Sequence, residues 1–228
     1  MTTPISESTA AASQPKAESF VDWFHVNSRV ISFASGAVLL VAFGVWFVQR
    51  TSLNASINAD KMLQVAKQSL NSGNAPLAEA DLKKVVDKYS EKPAGTEAGV
   101  LLAQMHMDKG DYKAAVATLQ DVTRKAGNDE GSASAVALLG DANMQLDKPA
   151  DAAAFYQRAT NMTALRSQKN YFMAKAARAY LAAGSNGPAR EILEALANQS
   201  DNDPSVVESR IRLGELEARA GTKATAKP

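Results

Sequence analysis

One register runs through most of this chain and limits what it can fold into. The pairs Val65-Ala66, Leu102-Ala103, Leu139-Gly140, Ala176-Ala177 and Leu213-Gly214 follow one another at intervals of 37 residues, and the interval never slips. A fixed period of this length marks stacked supersecondary units, each too small to bury its own apolar face. Thirteen positions after the start of each of the first four pairs stands Ala78, Ala115, Ala152 or Ala189. Four further on come Leu82, Leu119, Tyr156 and Leu193, and three beyond those come Val85, Val122, Ala159 and Leu196. Spacings of three and four residues put these side chains on one face of a helix. Gly73, Gly110, Asp147 and Gly184 mark a turn between the two sets, and Pro76, Pro149 and Pro188 fall at or near the start of the second helices, where a fixed φ and a missing N–H do no harm. One unit is therefore helix, tight turn, helix. Two helices joined so tightly pack antiparallel, and a small residue at the crossing lets their backbones approach while the larger residues one turn on fill the groove. The fold class is all-α, with strand signals nearly missing.

The unit resembles the tetratricopeptide repeat, which has Leu and Gly or Ala in its first helix, a Gly-Asp-Tyr-like turn, and Ala, an aromatic or Leu, and Ala in its second. Gly110-Asp111-Tyr112 and the set Ala152, Phe155, Tyr156 and Ala159 carry the likeness. It covers about residues 58 to 221, within a solenoid placed at 55–221, and implies about four helix pairs and a capping helix. The cap is expected from Asp203 to Ala220, with an outer side made polar by Glu208, Arg212, Glu215 and Arg219. Two departures stand out. The period is 37 residues where about 34 is usual, which suggests longer links between units. The large aromatic expected early in the first helix is replaced by Gly99, Val136 and Met173. The resemblance implies a concave protein-binding groove lined by Lys67, Gln104, Asp141 and Arg178, with Leu70, Met107, Met144 and Leu181 nearby. Its charges are mixed. Methionines adapt their shape to varied apolar partners, although the same residues also serve as core filler. The basic clamp by which some relatives hold a C-terminal carboxylate is not assembled.

A second feature stands apart from the repeat. Val30 to Gln49 is a run of twenty residues without a charge, bracketed by Arg29 and Arg50; at 1.5 Å rise per residue it spans about 30 Å, the hydrocarbon thickness of a bilayer. Trp23 and Trp46, the two tryptophans of the chain, sit where interfacial belts place them. Trp23, Arg29, Trp46 and Arg50 are thus expected as membrane-interface anchors, in contact with the lipid bilayer. A cleaved signal peptide is the competing reading, but its basic leader is short, whereas this leader carries Glu7, Glu18 and Asp22. The organisation expected is a disordered tail over 1–18, an anchor over 19–52 with its transmembrane helix at about 30–49, the solenoid, and a disordered tail over 222–228. The positive-inside rule does not decide orientation, because Lys16 and Arg29 on one side face Arg50, Lys61 and Lys67 on the other.

Composition removes most chemistry. There is no cysteine, and 25 Lys plus Arg against 24 Asp plus Glu leave a net charge of +1, without the basic stripe of a nucleic-acid binder. The two histidines are His25 and His106; His106 falls at a packing position of a first helix. No His-Glu-x-x-His or phosphate-binding loop occurs, so no catalytic residue, metal or cofactor is expected and the chain is not read as an enzyme. The layout of tail, single anchor and short solenoid is similar to the bacterial family that includes the ancillary subunit of the Sec translocon and shares its domain with a cell-division coordinator. That resemblance implies an inner-membrane, single-pass protein with a periplasmic solenoid that binds envelope proteins or exported chains: a non-catalytic adaptor or scaffold, chaperone-like in the envelope. The alternative is a structural accessory subunit of a stable membrane complex, held mainly through its transmembrane helix.

Overall fold

The computed structural model describes residues 28–125, 130–200 and 202–225. Among these, nine helices and no strand are found: α1 (Ser28–Asn71), α2 (Ala75–Tyr89), α3 (Pro93–Asp108), α4 (Tyr112–Lys125), α5 (Glu130–Gln145), α6 (Pro149–Met162), α7 (Arg166–Ala182), α8 (Asn186–Ala197) and α9 (Pro204–Thr225). The chain divides into two compact units, Met1–Leu53 and Asn54–Pro228. Trp23 and the tail over 1–18 lie outside the described residues, as does the side chain of Arg29.

The described part of the first unit is the N-terminal stretch of α1. Its apolar side chains are bare: Phe33 is 82% exposed, Leu40 74% and Trp46 57%. Phe43 lies tilted against Trp46 and stacked on Phe47, with ring centroids 5.7 and 6.4 Å away, so its described aromatic contacts are along its own helix. By length and composition α1 is able to cross a bilayer. The helix expected to close near Gln49 continues to Asn71, because no Gly or Pro interrupts residues 45–71 and Thr51 bonds back to the carbonyls of Phe47 and Val48. Arg50 is an exposed residue within it.

In the second unit the end of α1 pairs with α2, α3 with α4, α5 with α6 and α7 with α8, and α9 follows alone. The crossings are made of small residues: Ala66, Ala78, Ala103, Ala115, Ala152, Ala177 and Ala189 are wholly buried. Leu82, Val85, Leu119, Val122, Leu193 and Leu196 fill the grooves beside them and are buried to 1% exposure or less, a burial of about 1.5–3 kcal/mol for each such side chain. Every turn closes in the same way. Asn74, Asp111, Lys148 and Ser185 each donate a backbone N–H to the carbonyl five residues back, on Ser69, His106, Asn143 and Tyr180, at 2.8–3.1 Å. Gly73, Gly110, Asp147 and Gly184 donate to Leu70, Met107, Met144 and Leu181. These are Schellman closures, which need a left-handed residue at the turn. Gly73, Gly110 and Gly184 have φ of 75°, 75° and 73°, and Asp147 takes φ 56°, the one non-glycine of the described residues with positive φ. The first two second helices then start on side-chain caps, Asn74 accepting from the N–H of Leu77 and Asp111 from that of Ala114, whereas Lys148 and Ser185 cap α6 and α8 without a side-chain hydrogen bond.

The links Ser90–Lys92 and Thr163–Leu165 are short, and beside them the first helices α3 and α7 run to 16 and 17 residues. After α8, of 12 residues, the link to α9 is longer, over 198–203, so the added length of the period falls in a helix in some units and in a link in another. The last helix also outruns its expected end. It continues to Thr225, into the segment read as a tail, with no proline before Pro228 to stop it. Nor is its outer side wholly polar: Val207 and Ile211 are exposed beside Glu215 and Arg219, while Glu208 and Arg212 are half-buried.

Candidate protein-binding face

The four positions expected to line the groove, Lys67, Gln104, Asp141 and Arg178, fall on first helices at one register. Three of the four are already engaged within the chain. Lys67 pairs with Glu97 of the next unit's first helix, thirty residues on, and Arg178 pairs at 3.7 Å with Glu208, again thirty residues on. The acceptor position also follows the 37-residue register, through Glu97, Ser134, Tyr171 and Glu208. Ion pairs thus tie successive first helices together at both ends of the solenoid. Gln104 is exposed.

Asp141 forms the densest polar cluster. Lys175 on α7 donates to both of its carboxylate oxygens at 2.7 Å, and the Tyr156 hydroxyl on α6 donates to Oδ1. The Lys175 ammonium also lies 4.9 Å from the Tyr171 ring centroid and 5.5 Å from that of Tyr156, positions in which the ring faces attract a cation. Burial, and then the carboxylate of Asp141, push the Tyr156 hydroxyl well above its ordinary pKa, since both disfavour a phenolate. Lys175 is only 16% exposed, so this cluster holds the third and fourth units together and leaves Tyr171 half open at its edge.

The apolar positions are half-buried. Leu70, Met107 and Met144 pack against the three core clusters, and these residues, with Leu181, accept the turn hydrogen bonds described above. Their placement has a structural cause independent of any ligand. On the opposite flank, Lys109 donates to Glu79 of the preceding unit, and this hydrogen bond holds the Glu79 carboxyl below the ordinary range. His106 is half-buried on α3. Among the described residues no group of His, Asp and Glu side chains is arranged to hold a metal.

Glu97, Tyr156, Tyr171, Lys175 and Glu208 were not anticipated on this face. The thirty-residue offset between Lys67 and Glu97, repeated between Arg178 and Glu208, was the available signal. What the arrangement offers a partner is a row of partly exposed ion pairs, the amide of Gln104, the ring of Tyr171 and a margin of half-buried thioethers.

The family profile described as Tetratricopeptide repeat-like domain matches residues 21–155. A putative kinesin light chain of nearly identical TPR-like repeats from Podosopora anserina superposes with a TM-score of 0.58 at 22% identity, over 74% of this chain and 89% of that one. The MamA protein does so with a TM-score of 0.56 at 21% identity, over 74% and 85%. At such identities the likeness is one of fold. No curated protein matches the chain in sequence.

Proposed function

We propose, because this chain belongs to the tetratricopeptide repeat-like domain family, that it is a non-catalytic protein-protein interaction adaptor held at a membrane by α1. The reading is carried by one observation: the repeat leaves first-helix residues exposed at two of its register positions, Gln104 at one and Tyr171 at the other, and the contacts described around them are ion pairs, hydrogen bonds and a cation over a ring. The apolar and fully exposed band of α1 supports the anchor. By the resemblance in layout, the membrane is a bacterial inner membrane, the solenoid is periplasmic, and its partners are envelope proteins or exported chains, at or near a translocon.

A second reading has its own support. The charges of the first-helix face are largely satisfied inside the chain, and the largest unpartnered apolar surface described is that of α1. A structural accessory subunit would use that helix as its main contact with a membrane complex. Photo-crosslinkers placed in the full-length chain at Gln104 and at Leu39 separate the two. Partners captured from Gln104 favour the adaptor, and partners captured from Leu39 alone favour the accessory subunit. Reporters fused to the C-terminus, one active only outside the cytoplasm and one only inside, test the periplasmic placement; activity of the inside reporter refutes it.

A further inference from the structure

α9 has the register of a first helix, yet among the described residues no second helix lies over it. Its positions 207, 211 and 214 correspond to 59, 63 and 66 in the first helix pair, and to the matching triplets in the other three. Of those twelve residues in complete pairs eleven are buried and Val100 is half-buried. On α9 the same positions carry Val207 and Ile211, 42% and 60% exposed, and Gly214. A Cβ added at the equivalent Gly140 would lie 2.7 Å from the Tyr156 ring, whereas one added at Gly214 meets nothing within 4 Å. An open hollow of about 440 Å³ runs along this face, lined by Pro204, Val207, Ile211 and Glu215 among others. By continuity with four observed interfaces, this is a surface that receives a helix with a close crossing at Gly214.

The charges indicate which helix. Residues 208 to 219 carry Glu208, Arg210, Arg212, Glu215, Glu217 and Arg219. Reversed end to end about the bond between Leu213 and Gly214, the series meets its own opposite at every place: Glu208 with Arg219, Arg210 with Glu217, Arg212 with Glu215. An antiparallel copy of α9 therefore matches α9 in sign throughout. In the same register Ile211 of each copy stands level with the gap between Gly214 and Ala218 of the other, a large knob opposite small residues. Several of these charges also have neighbours in their own chain, Glu208 with Arg178 and Arg212 and Glu217 with Arg190, which fixes their positions. Glu215 and Arg219 are exposed and have no partner among the described residues.

We propose that two copies of this chain associate through two-fold, antiparallel packing of α9 on α9, crossing at Gly214. The contact is isologous and closed, as symmetry requires of such a pair. One helix face against another falls short of the roughly 1,200 Å² of a standard interface, so the association is reversible and depends on concentration. It does not rest on the function proposed for α1 or for the first-helix face.

The test uses the full chain in detergent micelles. Because the chain has no cysteine, an introduced one is its only thiol. Gly214→Cys places both thiols next to the two-fold axis, and under mild oxidation a disulfide-linked dimer should form about tenfold faster than from Glu191→Cys on the exposed side of α8. Adding Glu215→Arg, or Arg212→Glu, to the Gly214→Cys chain sets like charges against each other and should slow cross-linking by up to about tenfold. Mixing the two reversed chains should restore it, as a heterodimer only. Circular dichroism confirms that each variant keeps its helices. Equal rates at Gly214→Cys and Glu191→Cys overturn the proposal. So does a mixture that stays as slow as its parts, which would leave the face to a helix from a different protein.

Discussion

The second and third helix pairs share one register and close it in different ways. In α3–α4 the crossing is hydrocarbon, with Ala103 and Leu119 wholly buried. In α5–α6 the same two places hold Gly140 and Tyr156, and the ring occupies the space a Cβ would need. Volume taken from one helix has been given to the other, the kind of exchange that close-packed cores tolerate. Tyr156 also brings a hydroxyl into the interior, and a buried polar atom needs a partner. Asp141 supplies one, and its own charge is met by Lys175 from the next unit. A polar substitution inside one pair has thereby become a tie between two pairs.

The largest effect should come from the hydrocarbon side. Leu119→Ala removes a fully buried side chain and should cost about 2–5 kcal/mol in urea unfolding, against which the polar pair is to be measured. Gly140→Ala should cost about 1–3 kcal/mol from overpacking, and Tyr156→Leu in the same chain should recover most of it. If the double variant is no more stable than the sum of the singles predicts, the exchange of volume across the crossing is wrong. Tyr156→Phe should cost about 1 kcal/mol at neutral pH, the worth of a typical hydrogen bond, and it should change the alkaline limb. The folded pKa of this hydroxyl is raised, so its contribution is complete below about pH 10, the unfolded value. As pH rises further the unfolded chain gives up the proton first, and stability falls. The parent should therefore lose stability more steeply above pH 10 than Tyr156→Phe does in parallel titrations. The smallest contrast lies in the turns of the same two pairs. Gly110→Ala should cost about 1 kcal/mol and Asp147→Gly should gain about 0.5–1 kcal/mol, since only the second relieves a side chain held at positive φ. Thermal unfolding of the two variants shifts in opposite directions if this holds.

What could be read from the residues follows from where the information lies. The turns were legible because a left-handed backbone selects Gly, and even Asp147 betrayed itself by standing where Gly73, Gly110 and Gly184 stand. The crossings were legible because Ala78, Ala115, Ala152 and Ala189 are fixed by backbone approach. The partners on the first-helix face were not, because Glu97, Ser134, Tyr171 and Glu208 occupy one place in the repeat with three chemistries, and only contact with the neighbouring unit shows which of them closes a pair. The join at Arg50 was hidden for another reason. An apolar run ends there, but nothing in residues 45–71 breaks a helix, and hydropathy marks a change of surroundings without marking an end of hydrogen bonding.

The unslipping 37-residue interval has a consequence for how such a chain changes length. Loss of residues 103–139 would join Leu102 to Gly140 and leave a first helix in phase, with Glu97 retained for Lys67 and Asp141 retained for Lys175. An in-frame recombination between two repeats deletes or duplicates such a block in one step, so this architecture lengthens and shortens in whole pairs, with the helices on either side of the junction already matched.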